Sequence, residues 1–341
     1  MLAPEMTLDA ALRDVERDDP RVREPAVRNL APALLAELGQ TGPRWDAAAE
    51  HPRGESVIEA LGRRLDDDEP ALRGHAATGL ATLGDVTVLE PAEGWLELTG
   101  DDEHRAYLRQ CGVIALSFLA RAAIEADVEP TLRRRIEARI IQALSAEPPD
   151  LRFQAGMALV ELRGADAEPA LVDALRREQH SEVLEGLLDA VAMLDPPGPA
   201  ACEALESILE GPEAQTGIGF RAAMTLAAAR RPVARPRLLE ALDVRSWRDD
   251  ALEALAALGT AEPADVERIH RLARRVFLPG ITRVRAAYAL ARMVGPGAGD
   301  NPGLAMLERM RWHPRAAVRE AVQDAFSNLD TLASRETQSG P

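Results

Sequence analysis

The chain has 341 residues, a formal net charge of −16, 46% hydrophobic and only 3% aromatic residues, and two cysteines. This apolar content excludes a disordered chain, and a core rich in Ala and Leu but poor in aromatics points to helices, which those two residues favour. The acidity raises the cost of meeting a phosphate backbone and argues against a nucleic-acid partner. Cys111 and Cys202 are too few for a disulfide framework and read as free thiols of a reducing compartment.

The opening Met1-Leu2-Ala3-Pro4-Glu5 has no basic segment followed by an apolar run, and no stretch approaches a charge-free transmembrane span. A cytoplasmic protein without membrane contact is expected. A first amphipathic helix is predicted over 8–15, followed by an acidic turn at Asp18-Asp19. Pro20 then opens a second helix with Val22-Arg23, Ala26 and Leu30. Residues 40–56 form an insertion containing Trp45 and His51; Trp45 is either an exposed interaction anchor or folds back onto the first helix pair.

The same unit returns with a helix over 57–65, the turn Asp67-Asp68-Glu69-Pro70, and Leu72-Arg73 followed by Ala76 and Leu80. Further copies are anchored at Arg109, Arg152, Leu184, Gly219, Arg248, Arg283 and Arg319, with first helices predicted over 132–144, 200–209 and 265–276. Gly39, Gly84, Gly164, Gly259 and Gly295 follow second helices, where a left-handed residue would end them. The pattern predicts an all-α solenoid of about nine helix pairs over 1–330, running as one continuous superhelix, with a flexible polar tail at 331–341. Pro196-Pro197-Gly198-Pro199 breaks the helical pattern, and a change of curvature is expected over 196–235.

The acidic turn, Pro-x-Val-Arg and spaced Ala and Leu of 18–30 and 67–83 resemble the second-helix signature of the HEAT-repeat family, with its HEAT-like, phycobilisome-lyase-type members. The resemblance covers about residues 8–329 and implies an architecture, not an activity. It also implies a polar ladder between repeats, built from Arg23, Arg73, Arg109, Arg152, Arg248, Arg283 and Arg319 and interrupted where Leu184 and Gly219 replace arginine.

No chemistry stands out from this framework. Asp101-Asp102-Glu103-His104 holds suitable ligands for a divalent cation, but it sits at a helix start, as 66–69 does, where acids cap the helix. No histidine is followed by glutamate, which argues against HEAT-like hydroxylases of the deoxyhypusine type, and no phosphate loop or nucleophile elbow occurs. No catalytic residue, metal or cofactor is expected. The alternative reading is a DNA-binding or DNA-repair protein resembling the HEAT-like alkylpurine glycosylases, which need a cationic groove this sequence does not supply.

On each second helix, one side clusters the apolar positions and a recurrent small residue (Ala31, Ala81, Ala192, Ala227, Ala256, Ala291) is placed against the neighbouring repeat. The remaining face is predicted to be concave. It carries Ile114 and Phe118, Phe153 and Met157, Met193, then Phe220, Arg221 and Met224. Asp249, Asp250 and Glu253 follow, and Arg285, Tyr288 and Arg292 complete it. Exposed Phe and Met beside acids fit a scaffold or adaptor that takes a peptide or helix of a protein partner bearing basic residues. The sequence leaves the oligomeric state open.

Overall fold

The computed structural model describes residues 6–128, 130–275, 277–295 and 300–338, with side chains described as far as Thr331. The described residues form eighteen α-helices in nine antiparallel pairs and no strand. The chain divides into two compact units, 1–190 and 191–341.

Unit 1 pairs α1 (Leu8–Asp14) with α2 (Pro20–Glu37), α3 (Gly54–Arg64) with α4 (Pro70–Thr82), and α5 (Leu89–Leu96) with α6 (Glu103–Glu125). It continues with α7 (Pro130–Ala143) and α8 (Pro149–Arg163), then α9 (Glu168–Arg177) and α10 (Ser181–Ala192), whose last two residues fall in unit 2. Each first helix from α1 to α7 packs on its own second helix, and α2, α4, α6 and α8 pack on one another in series. Gly156 lets α8 close on α10, since a Cβ there would lie 2.8 Å from Leu187 Cδ2. First helices meet each other far less, so the second helices form the inner row.

Unit 2 repeats the plan with α11 (Pro199–Glu210) and α12 (Gly217–Ala228), then α13 (Arg235–Ala241) and α14 (Arg248–Leu258). The last two pairs are α15 (Pro263–Ala273) with α16 (Gly280–Val294), and α17 (Pro302–Met310) with α18 (Ala316–Gln338). Here too α12, α14, α16 and α18 pack in series. All nine sequence anchors lie on second helices.

The core is aliphatic. Leu30, Leu80, Leu116, Leu159, Leu226, Leu255 and Leu290 are fully buried. Each occupies the same position, seven residues past its anchor, and truncating such a leucine to alanine costs about 2–5 kcal/mol. The small position behaves as expected at Ala31, Ala81, Ala227, Ala256 and Ala291, all buried. Ala192 is exposed, because α10 ends on it. Pro20, Pro70 and Pro149 stand in the first turns of α2, α4 and α8, where the missing amide has no helical partner. The five glycines after second helices all have positive φ, between +52° and +90°.

Helix α6, 23 residues long, is apolar enough to cross a membrane by length and composition, although it carries Arg109 and Arg121; it is mostly buried and packs as a core helix of unit 1. Helix α18 continues past Thr331 to Gln338, with no Gly or Pro to stop it, and residues 339–341 lie outside the described residues.

The insertion is docked. Arg44 N donates to Thr82 O at 2.8 Å and Ala47 N to Leu83 O at 3.1 Å, pinning it to the end of α4. Gly84 (φ +70°) sits under this strap, and a Cβ there would come within 2.4 Å of Trp45 Cα. Trp45 is half-buried and lines a cleft of about 540 Å³ with Glu50 and the end of α6 at Glu125 and Ala126.

Candidate functional site

Two systems organise the second helices: arginines at the turns and the open face of the inner row. The arginines cap carbonyls in the turn that precedes their own helix. Arg23 donates to Arg17 O and Asp18 O at 3.0 and 3.1 Å, and reaches Asp67 of the next pair at 3.4 Å. Arg109, 1% exposed, donates to Leu98 O and Gly100 O and forms a two-bond pair with Asp150. Arg152 caps Ala146 O and Glu147 O and pairs with Glu178 at 2.7 and 2.9 Å. Arg248, Arg283 and Arg319 cap Leu242 O, Ala273 O, and His313 O with Pro314 O. Arg73 keeps a buried Nε with no hydrogen-bond partner among the described residues.

At the sixth pair, where Gly219 stands in the arginine position, the cap comes from elsewhere. Arg237 of α13, 8% exposed, donates to Gln215 O at 3.1 Å and Thr216 O at 3.0 Å. Gly219 itself permits the close approach of the turn, since a Cβ would lie 2.2 Å from Ala214 O. The guanidinium of Arg237 also lies 5.2 Å from the Trp247 ring centroid, and Trp247 stacks on Phe220 with centroids 5.1 Å apart and planes 16° from parallel.

That stack corrects one predicted face residue. Phe220 is 4% exposed and belongs to the core of unit 2, because Trp247 from the next turn covers its ring. The signal was present in the sequence as a tryptophan in an apolar slot, which needs a flat partner. The predicted acidic stretch is also partly neutralised. Arg285 binds Asp249 at 2.5 Å and Glu253 at 2.9 Å, while Asp250 remains exposed. Tyr288 and Arg292 are half-buried, Met224 is half-buried, and Arg221 is exposed; burial raises the Tyr288 hydroxyl above its ordinary range, with Arg292 opposing.

In unit 1 the predicted face stays open. Phe153 is 40% exposed, its ring resting where Gly186 of α10 has no side chain. Ile114, Phe118 and Met157 are half-buried on α6 and α8. Helical spacing places Ile114 above Phe118 and Phe153 above Met157, one turn apart. Glu161, Glu185 and Asp189 stand beside them, exposed or half-exposed. Met193, just past α10 and within unit 2, is 50% exposed.

Earlier on the same row, His75 lies 3.7 Å from Glu24. Burial holds its imidazole below the ordinary range, outweighing that carboxylate. Gly74 makes room for Cys111 and Tyr107, since a Cβ would be 2.5 Å from Cys111 Sγ. Neither cysteine forms a disulfide and both are buried; burial raises the Cys111 thiol while the Tyr107 hydroxyl offsets part of that. The Asp101–His104 run acts as a cap: Asp102 accepts from Arg105 N at 3.0 Å and pairs with its guanidinium. Among the described residues no group of three or more His, Cys, Asp or Glu is placed to hold a metal ion.

Inner rows of second helices, each buttressed by a first helix and stitched by turn arginines, define an α-solenoid of helix pairs. The chain folds as an α-solenoid of HEAT-like helix pairs: the family model described as HEAT repeats matches residues 136–219, and similar helix pairs recur on both sides of that stretch. No curated protein matches it in sequence. Among solved structures it is similar to YibA of Escherichia coli (12% identity, TM-score 0.58), covering 85% of this chain and 93% of that one. It is also similar to Kap95 in a complex with Nup1 (13% identity, TM-score 0.60; 94% of this chain, 44% of that one). Kap121p bound to Ste12p aligns at 13% identity and TM-score 0.54, covering 92% of this chain and 36% of that one. The chain thus spans nearly the whole of YibA but less than half of the two Kap proteins. At these identities the likeness is one of fold.

Proposed function

We propose that this protein is a non-catalytic scaffold that takes a peptide or helix of a protein partner along the inner row of unit 1. One observation carries the reading. Phe153 is left 40% exposed in the middle of a row whose leucines are fully buried. A half-wet phenylalanine between half-buried Ile114, Phe118 and Met157 is a poor solvent surface and a good anchor for apolar side chains. Glu161, Glu185 and Asp189 would favour a partner with basic residues and set its orientation. The complexes of Kap95 with Nup1 and of Kap121p with Ste12p support the idea that this fold receives protein partners. Two buried thiols suit a reducing compartment, and we place the protein in the cytoplasm.

The test is capture from the native host with the wild-type chain and with Phe153→Ser combined with Met157→Ser. The expected result is one partner retained by the wild type and lost by the variant, with helicity and melting little changed. A partner held equally by both would remove this face from consideration, and tight retention of duplex DNA at physiological salt would replace the scaffold reading with the nucleic-acid one.

A further inference from the structure

The turns of the last two pairs differ in kind from the turns of unit 1. Those of the first four pairs are acidic, at Asp18-Asp19, 66–69, Asp101-Asp102 and Glu147 with Asp150. The eighth pair instead turns through Arg274 and Arg275 to Phe277-Leu278-Pro279, and the ninth through Arg311-Trp312-His313-Pro314-Arg315. Residues 271–319 hold ten arginines against two acids, Asp300 and Glu308, in a chain whose acids otherwise dominate.

Phe277 is 99% exposed, Trp312 89% and Ile281 43%. The two turns are neighbours on one edge: a Cβ at Gly280 would lie 2.7 Å from Val318 Cγ2 and 3.8 Å from His313 Cε1. Each turn is tied back to its second helix by an arginine. Arg283 caps Ala273 O at 3.1 Å, Arg319 caps His313 O and Pro314 O, and Arg315 N donates to His313 Nδ1 at 3.2 Å. Among the described residues no carboxylate stands within ion-pair distance of Arg274, Arg275 or Arg315, whereas Arg311 is engaged by Glu308 at 3.0 Å and lies over the Phe326 ring.

We propose that this edge docks the protein peripherally on an anionic lipid surface. Trp and Phe at exposed turn tips settle at the headgroup boundary, where the aromatic body leaves water without a spanning segment. Unpaired arginines beside them meet lipid phosphates. The negative charge of the remaining chain does not cancel this attraction, because exposed charges beyond about 8 Å are screened at physiological salt. A single-stranded nucleic acid would also bring phosphates and could stack on the two rings, but the aliphatic Ile281 and Leu278 beside Phe277 offer a base nothing to stack on and suit acyl chains instead. The inference is independent of the groove reading, since none of its residues lies on the inner row of unit 1.

The experiment is co-sedimentation of the full chain with phosphatidylcholine vesicles containing about one-third phosphatidylglycerol, and with pure phosphatidylcholine vesicles, at physiological salt. Binding is expected only to the anionic vesicles. Phe277→Ser with Trp312→Ser, and separately Arg274→Glu with Arg275→Glu and Arg315→Glu, should each weaken it about tenfold or more. All five residues are exposed, so both variants should melt as the wild type does. Absence of wild-type binding, or equal binding by either variant, overturns the proposal. So does an oligothymidylate bound more tightly than the anionic vesicles.

Discussion

Arg109 and Asp150 meet through two parallel hydrogen bonds, Nε to Oδ2 at 3.0 Å and Nη2 to Oδ1 at 2.8 Å, across the boundary between the third and fourth pairs. The remaining amino group of Arg109 is spent on two backbone carbonyls, so every nitrogen of the buried cation is engaged. Removing one partner of such a pair leaves the other stranded, which costs about 3–5 kcal/mol. Arg109→Met should therefore lower unfolding stability by about 3 kcal/mol at unchanged denaturant slope. A loss below about 1 kcal/mol in urea titration would mean that the pair orients the stack without stabilising it.

The next rung predicts a pH response. Burial pushes the Glu178 carboxyl up, but Arg152 and the amides of His180 and Gln179 outweigh burial and hold it below the ordinary range. The unfolded chain, with an ordinary pKa of about 4.3, then binds the proton at higher pH than the folded chain. The stabilisation is fully present above that value and is lost as pH falls through the folded one. Melting followed from pH 6 down to pH 3 should show a steeper acid fall for the wild type than for Glu178→Gln, and parallel curves would refute the assignment.

Phe153 and Phe220 occupy the same repeat position and should part company on mutation. Phe220→Ser removes a ring stacked on Trp247 in the core and should cost about 3–5 kcal/mol, with the loss read by thermal unfolding. Phe153→Ser touches a half-exposed ring and should cost about 1 kcal/mol or less. Similar losses at both positions would place Phe153 in the core and empty the proposed groove.

Gly84 fixes the insertion. Gly84→Ala would force a methyl into the Trp45 backbone at a positive φ, and the strap from Arg44 to Ala47 should lift. Trypsin would then cut at Arg44 and Arg53 at least tenfold faster than in the wild type, while the repeats remain folded. Unchanged cleavage would show that the strap adapts around the new side chain.

The fold was legible because its signal is repeated: each anchor position repeats the same Ala and Leu spacing, so an error in one pair is corrected by the others. The open face was only partly legible. Position alone places Phe153 and Phe220 together, and what separates them is the next repeat's contribution, a glycine at 186 in one case and Trp247 in the other. That contact joins residues 27 positions apart in the second case and 33 in the first, beyond the reach of a helical pattern. The exposed Phe277 and Trp312 were missed for a related reason: they sit in turns, where periodicity says nothing of direction.

Arg237 carries a last consequence. It lies in the seventh pair yet closes the turn of the sixth, which has no arginine of its own to do so. Solenoids lengthen and shorten by copying or dropping modules, and a module travels cleanly only when it brings its own fastenings. Here the natural cassette is therefore two pairs long. A genome that dropped the seventh pair alone would leave two carbonyls bare under α12 and Phe220 without its cover, so viable length variants of this protein should gain or lose these two pairs together.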